Sequence, residues 1–416
     1  MKSLKLLSFV MLLASGLMFV NCTSDLDQGP AGPAGPAGVD GVDGEDGKDG
    51  IGTGSSTTVL LAKKALIGPT IDGIIDASWI NAQELTVTAT VPDLADKVFQ
   101  GYENDSYDAI IKAQYDDEYV YFLAEWKDAN QSFDRDTWYF DAVTKLWKQE
   151  SNKPVFEADV KVRDAFYEDK FAMLFDVNES VTDWSESTCY ASCHTGLTKE
   201  QGYARHYTEG AGQVVDMWHW KMARTNFYGT FDDQNQTSEK GESFNGRHSD
   251  AGVGPYSDNR QDLKLDGTGE TVRVPKFVIP GRENNGWITE DEIANNTAKL
   301  ITAVGSDGKL TLEGGGVIDP VAEVKYQRDG EKTALLGMAS VTVKPVIGLG
   351  SRADIIAKGV FTGNGWILEF KRKLDTGDHV LDVTFDTTKE YPFGLGIFDN
   401  AAIAHAIKAS LTLKFE

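Results

Sequence analysis

The chain has 416 residues, of which 25% are charged, and its formal net charge is −24 at pH 7. This excess of acidic groups argues against nucleic acid or an anionic bilayer as a direct partner, because both would be repelled. An acidic surface suits docking to a basic redox protein, and it is equally the ordinary solubility feature of exported proteins.

The amino terminus has the order of an export signal. Lysines precede an apolar run over residues 6–20, which is short for a membrane span. Residues 19–22 (FVNC) resemble the lipobox of bacterial lipoproteins, in which Cys22 is acylated, although Asn21 replaces the usual small residue. We therefore predict a signal peptide over residues 1–21 and an exported outer-membrane lipoprotein, periplasmic or on the cell surface, that meets the membrane only through its lipid. The alternative is an ordinary signal peptide with an unmodified cysteine.

Residues 22–58 contain a collagen-like repeat. Glycine occupies every third position from Gly29 to Gly50, first with Pro-Ala pairs and then with acidic pairs. A triple helix needs glycine at its crowded axis, but the run is short and three acidic strands would repel one another. We expect a flexible stalk, with a trimer as the alternative.

Residues 59–416 are predicted to form an all-β domain. Residues 109–115 and 119–126 alternate in polarity around an acidic turn, which predicts a hairpin. Many short strands with Gly, Asn and Asp turns favour an antiparallel, immunoglobulin-like β-sandwich. Residues 229–320 are predicted to be long loop insertions with few strands, and Thr289 is expected to cap a short helix over residues 290–294. Further predicted strands are 171–177, 339–343, 353–361, 366–372 and 411–415.

The hexapeptide over residues 189–194 (CYASCH) carries the strongest chemical signal. The thiols of Cys189 and Cys193 can add across two haem vinyl groups, and His194 can place a nitrogen on the iron. Three residues separate the cysteines, whereas the common haem c motif has two. A disulfide between the cysteines, or a zinc site completed by His194 and His206, remains open.

Several separated segments resemble known families. The opening of the body, residues 71–79, resembles the first strands of the DOMON-like sandwich superfamily, which has haem-binding and sugar-binding members. Further segments, in the right order, are similar to the ethylbenzene-dehydrogenase-type haem-binding domain, also described as the cytochrome c-552/DMSO-reductase-like haem domain. This likeness covers most of residues 71–416 and rests on the segments 216–226, 351–357, 372–377 and 391–400.

The resemblance implies an electron-transfer module. In the subunits of molybdenum dehydrogenases that share this domain, a Met and a Lys hold haem b without covalent bonds. The CYASCH segment makes this chain similar to the c-type branch of the family, with haem c in place of haem b. His194 would then take one axial position and leave the opposite ligand open.

For that opposite position the alternation of residues 217–221 favours His219, since it shares a strand face with Met217 and Lys221 while two tryptophans lie on the other face. A hydrogen bond within a packed strand is the alternative role for this histidine. His405 is the next candidate ligand. Lys221 and Arg224 are expected to pair with haem propionates, or else to be ordinary surface residues.

The remaining candidates carry weaker signals. Met173 is expected to fill core space. Three histidines, in polar and loop-like contexts, are not favoured as ligands: His206, His248 and His379.

We therefore predict a monohaem c-type cytochrome that passes electrons between redox protein partners and is not itself an enzyme. One alternative is a haem subunit of a molybdenum dehydrogenase complex. Another is a surface glycan-binding sandwich without haem, whose aromatic platform would draw on four residues: Trp79, Trp138, Trp147 and Trp184.

Overall fold

The computed structural model describes residues 58–94, 97–193, 206–241, 245–282, 286–320 and 338–416. These residues belong to a compact unit that spans Gly54–Glu416. The predicted signal peptide, Cys22, the collagen-like repeat and His194 lie outside the described residues. Within those ranges, no helix has the length and apolar character to cross a membrane.

A 12-stranded sheet dominates the described part of the chain, and the all-β prediction is confirmed. Its order is β12-β11-β10-β9-β24-β25-β1-β3-β4-β23-β22, and β2 pairs with both β25 and β3. Its strands are β1 (Val59–Lys64), β2 (Leu85–Thr90), β3 (Ser106–Tyr115), β4 (Tyr119–Lys127), β9 (Lys170–Asp176), β10 (Val215–Lys221), β11 (Asp232–Gln236), β12 (Arg247–Ser249), β22 (Ile356–Phe361), β23 (Gly365–Lys373), β24 (Glu390–Phe398) and β25 (Ala406–Phe415).

The remaining strands form smaller sheets, and the helices are short. The small sheets pair β13-β21-β17, β14-β15, β16-β18-β19-β20, β5-β6 and β7-β8. Their strands are β5 (Trp138–Asp141), β6 (Leu146–Gln149), β7 (Val155–Glu157), β8 (Val160–Arg163), β13 (Tyr256–Asp258), β14 (Gln261–Lys264), β15 (Thr271–Val274), β16 (Phe277–Val278), β17 (Ile288–Thr289), β18 (Lys299–Val304), β19 (Leu310–Leu312), β20 (Val317–Ile318) and β21 (Val341–Val343). The helices are α1 (Trp184–Ser187), α2 (Glu290–Ala294) and 3-10 turns at Ala77–Asn81, Thr188–Ala191 and Ser351–Ala353.

The prediction of few strands over residues 229–320 is wrong. Strands β11 to β20 all begin within that stretch. Most of them have only two to five residues, so they offer too few alternating positions for a period to be recognised against the surrounding Gly, Asn and Asp. The stretch therefore contributes two strands to the main sheet and builds small sheets around it.

The predicted hairpin is confirmed as β3 and β4, which pair antiparallel with Ile111 opposite Ala124. The carboxylate of Asp116 closes its turn by accepting the backbone N–H of Tyr119 at 2.7 Å. Strand β1 departs from the antiparallel expectation, because it pairs parallel with both β25 and β3. The main sheet is thus mixed, with antiparallel pairs predominating.

An aromatic core packs between strand β10 and the neighbouring strands β4 and β23 of the main sheet. The Phe122 ring of β4 stacks on Phe370 of β23 with centroids 5.0 Å apart, and it meets Trp218 of β10 edge-on at 5.8 Å. Met173 lies in the same core, as predicted. Because Trp218 and Trp220 both point into this core, the intervening residues of β10 face the other way, and the predicted alternation is confirmed.

Helix α2 has the capping box that its sequence predicts. The Thr289 hydroxyl accepts the backbone N–H of Glu292 at 3.2 Å, and the Glu292 carboxylate accepts that of Thr289 at 2.8 Å. We expect Thr289→Ala to lower the free energy of unfolding by about 1 kcal/mol, because the cap is lost. Urea unfolding measures this change. Thr311→Ala, an exposed threonine in β19, is the control, and an equal loss in both variants would contradict the capping role.

Candidate functional site

The two cysteines of the CYASCH segment lie on one side of a helical turn. The backbone N–H of Cys193 donates to the carbonyl oxygen of Cys189 at 2.8 Å. A bond between residues four apart places both side chains on the same face, so the three-residue spacer sets the thiols one turn apart. Both thiols are buried and free, and the disulfide alternative is not formed.

A glycine lets this turn lie directly against the main sheet. A Cβ at Gly394 of β24 would lie 3.0 Å from the Cys189 sulfur and 3.1 Å from the Thr188 hydroxyl. The Thr188 hydroxyl also accepts the backbone N–H of Ser410 in β25 at 3.0 Å. The turn is therefore fixed on the face of β24 and β25 by close contact and by a buried hydrogen bond.

Burial keeps the two sulfur atoms in the thiol form. Removal from water, with a smaller contribution from Cys193, raises the pKa of Cys189 to about 12. Burial also raises the pKa of Cys193, against the lowering effect of the hydrogen bond from Gln236. Since the thiolate is the reactive form in disulfide exchange, both groups are protected from it at neutral pH.

Small residues line the sheet face next to the turn. His219 of β10 lies opposite Ala172 of β9, and Ala172 lies opposite Gly396 of β24. Residues directly opposite one another share a face, so on these three strands the row carries one imidazole, one methyl group and a glycine, and it continues to Asp232 on β11 and Ile407 on β25. In the adjoining row Met217 lies opposite Leu174, and both pack against the two cysteines in one cluster.

His219 is the unusual group of this face. Its ring is only 3% exposed, yet within the described part of the chain neither Nδ1 nor Nε2 has a hydrogen-bond partner. Buried polar atoms are almost always partnered, so an unpartnered pair of ring nitrogens needs an explanation. The predicted alternative, a hydrogen bond within the packed strand, is therefore wrong.

Burial lowers the pKa of His219 well below its ordinary value, and the nearby cations Lys221 and Lys170 lower it further. The ring is consequently a neutral imidazole, which is the form that binds a metal ion through a ring nitrogen.

His405 lies beside the same site. Phe398 is stacked between the two histidines, with ring centroids 4.5 Å from His405 and 5.6 Å from His219. His405 Nδ1 lies 2.8 Å from the carbonyl oxygen of Ile403 and must donate to it, because a carbonyl only accepts. The aromatic ring thus holds both candidate ligands at one end of β24.

Lys221 and Arg224 are buried rather than surface residues, so the alternative prediction for them is wrong. The Lys221 ammonium forms an ion pair with Asp232, and the Arg224 guanidinium forms one with Glu168. The ring of Tyr256 lies against both cations, 5.3 Å and 4.9 Å away. Their pairing with haem propionates stays a prediction.

Sequence reasoning missed the polar group that surrounds Cys193. The amide nitrogen of Gln236 lies 3.3 Å from the Cys193 sulfur, 3.2 Å from the Met217 sulfur and 3.1 Å from His206 Nδ1. His206 Nδ1 is itself 3.5 Å from the Cys193 sulfur. The pairing of β11 with β10 brings Gln236 here, which no sequence pattern predicts, whereas the position of His206 beside Cys193 agrees with its place in the zinc alternative.

Lys170 was also missed. It lies in β9, 2% exposed, and its ammonium sits 4.0 Å from the Phe398 ring centre and donates to the carbonyl oxygen of Ala402 at 2.8 Å. Burial lowers its pKa well below the usual value. Its position directly across from Lys221 gives this end of the face a pair of buried amines.

The fold and the site define an all-β sandwich domain with two buried thiols and a buried imidazole on one sheet face. The chain belongs to the ethylbenzene dehydrogenase family, whose model matches residues 76–410. A search of curated proteins found no match.

Among solved structures, the chain is similar to a family 9 carbohydrate-binding module from Caldicellulosiruptor kristjanssonii in complex with cellotriose, at 10% identity, TM-score 0.26, and coverage of 86% of this chain and 93% of that one. The same kind of module in complex with glucose gives 11% identity, TM-score 0.26, and coverage of 86% and 95%.

The aromatic platform predicted for glycan binding is wrong in its residues. Each of the four tryptophans is buried, and each indole N–H donates to a protein oxygen. Their ring faces are therefore used in packing and are not offered to a ligand. These residues are Trp79, Trp138, Trp147 and Trp184.

Proposed function

We propose that this chain is an exported monohaem electron-transfer protein, with haem c joined to Cys189 and Cys193 and the iron held by His194 and His219. The observation that carries the proposal is His219, a buried neutral imidazole with two unpartnered ring nitrogens on the face where two free thiols lie. Bound haem supplies a one-electron iron couple.

The residues of the chain fit such a group in three respects. The helical turn presents two thiols on one side, which is what attachment through two thioether bonds requires. The row puts small residues next to His219, Ala172 on β9 and Gly396 on β24, with the rings of His405 and Phe398 packed over Gly396, and the contact with Phe398 fixes the orientation of the imidazole.

Two protein ligands would leave no open position on the iron, so the chain would carry electrons and would not transform a substrate. The net charge of −24 favours basic redox partners through electrostatic attraction. Export and the lipid anchor on Cys22 belong to the same proposal, because covalent haem attachment and acylation both take place outside the cytoplasm.

Membership of the ethylbenzene dehydrogenase family favours a second form of this function, in which the chain is the haem subunit of a molybdoenzyme complex. The catalytic reaction would then belong to the partner, and electrons would leave through this chain. Molybdenum counted in the complex as purified from native membranes separates the two forms: a stoichiometric amount supports the subunit, and its absence supports a free carrier.

Visible spectroscopy of the full chain, produced with haem-maturation machinery, tests the proposal. We expect a Soret band and an α-band that respond to reduction, and a colour that stays with the protein through acid-acetone extraction. Colour that is extracted would indicate haem b in place of haem c. A colourless folded protein would contradict both and would favour a binding module without haem.

A further inference from the structure

A second group of unpartnered buried atoms lies behind the site, on the core side of β10 and β11. Asp216 of β10, Asp233 of β11 and Asp382, which precedes β24, are each at most 1% exposed. One carboxylate oxygen from each lies within 4.8 Å of the others. Three carboxylates are therefore held together in the protein interior, where like charges repel strongly.

In Asp382 and in Asp233, one carboxylate oxygen accepts a hydrogen bond and the other accepts none. Asp382 accepts the hydroxyl of Thr376 through Oδ2 at 2.6 Å, and Asp233 accepts the backbone N–H of Gln234 through Oδ1 at 3.0 Å. Among the described residues, the remaining atoms Asp382 Oδ1 and Asp233 Oδ2, and likewise Asp216 Oδ1, are buried without a hydrogen-bond partner. Buried carboxylates that lie this close together and keep unpartnered oxygens are an arrangement that can bind a cation.

One guanidinium does not balance this group. Arg372 donates to Asp216 at 2.9 Å and lies 3.3 Å from Asp382, but the buried Asp250 and the half-buried Asp354 add two further carboxylates nearby. Asp250 Oδ2 and Asp354 Oδ1 also have no hydrogen-bond partner. Five carboxylates therefore lie near one guanidinium, so the group gains from additional positive charge.

We propose that Asp216, Asp233 and Asp382 form a structural Ca²⁺ site, in which the ion together with Arg372 balances the charge of the three carboxylates. Ca²⁺ takes six to eight oxygen ligands at about 2.3–2.6 Å in flexible geometry, so oxygens up to about 5 Å apart can lie across one ion. Mg²⁺ usually keeps several waters and uses only one or two carboxylates, which fits a dry group of three less well.

Such an ion would connect β10, β11 and the loop before β24. Asp216 lies three residues before His219 in the same strand, so the ion would fix the strand that carries the candidate ligand. The three carboxylates are not among the residues proposed to hold haem, so the Ca²⁺ proposal is independent of the haem proposal.

Metal counting on the purified full chain tests the site. The protein is stripped with EDTA, exchanged into Ca²⁺ or Mg²⁺, desalted, and assayed for calcium, magnesium and iron in the same sample. We expect one Ca²⁺ per chain, retention of Ca²⁺ over Mg²⁺, and a higher melting temperature in Ca²⁺ than in EDTA. The iron count reports on haem separately, so failure of either proposal is seen by itself.

Asp233→Asn should weaken Ca²⁺ binding by at least about tenfold, because affinity follows ligand charge, and should remove the calcium-dependent shift in melting temperature. The matched control is Asp399→Asn, in the separate acidic group of Asp128, Asp169 and Asp399, which should retain both. Calcium lost from Asp399→Asn but not from Asp233→Asn would overturn the assignment. A wild-type chain that retains no Ca²⁺ and has the same melting temperature in Ca²⁺ and in EDTA would also overturn the assignment. That result does not depend on whether a variant folds.

Discussion

Replacing Cys189 and Cys193 together with alanine should abolish covalent haem attachment completely. Each thioether bond needs one of these sulfur atoms, and the only other cysteine of the chain, Cys22, lies within the amino-terminal segment predicted to carry lipid. Acid-acetone extraction followed by a haem stain of the denatured chain measures the result. We expect full loss of protein-bound colour, since both attachment points are gone.

The control for this variant is Ser192→Ala, which changes a buried residue of the same turn and leaves both thiols in place. It should retain covalent haem. Colour that survives extraction in the double cysteine variant would contradict attachment at this turn, and loss of colour in the serine variant would show that the turn fails to fold when perturbed.

His219→Ala should convert the iron from a low-spin to a high-spin state while the haem stays covalently bound. Removing the imidazole takes away one strong axial ligand, and alanine has no atom that can replace it. The shift of the Soret band and the appearance of a high-spin signal in electron paramagnetic resonance measure the change. We also expect the variant to bind carbon monoxide, because a coordination position becomes open.

Two further histidine variants decide whether this effect is specific. His379→Ala changes a histidine whose side chain is 60% exposed, and it should leave the spectrum unchanged. His405→Ala should perturb the site only through loss of its stacking on Phe398. A high-spin spectrum in His405→Ala and a normal spectrum in His219→Ala would assign the ligand to His405 and contradict our choice.

The parts of the fold that the sequence predicts well are the long strands with one clear period. Strands β3, β4 and β23 have nine or ten residues, so alternation and turn residues identify them. Most strands of two to four residues give no such signal, although the predicted strand 339–343 contains β21, and their sheets depend on distant pairing, as when β13 pairs with β21. The parallel placement of β1 between β25 and β3 is likewise a long-range result.

At the site, sequence predicts the groups that a local pattern defines. The thiol pair follows from spacing and His219 from alternation, because a strand face can be deduced from neighbouring residues. The proximity of Gln236 to Cys193 depends on how β11 meets the turn, and no local pattern encodes it, whereas residue type alone suggests His206 as a zinc partner of the cysteines. Burial was also misjudged for Lys221 and Arg224, since their buried acidic partners are brought in by other strands.

The tryptophan platform failed for a related reason. An aromatic residue in a β-rich sequence fits a core as well as an exposed binding face, and composition alone does not distinguish the two. The indole of Trp79 shows the difference, because it reaches Glu369 of β23 across 290 residues of sequence.

Covalent attachment is tested most directly by the mass of the peptide that contains residues 189–194. The peptide is released by proteolysis from the mature protein made with haem-maturation machinery. We expect a single peptide that carries one added haem on its two cysteines. The unmodified peptide mass, from folded protein made under the same conditions, would contradict the assignment of this chain as a c-type cytochrome.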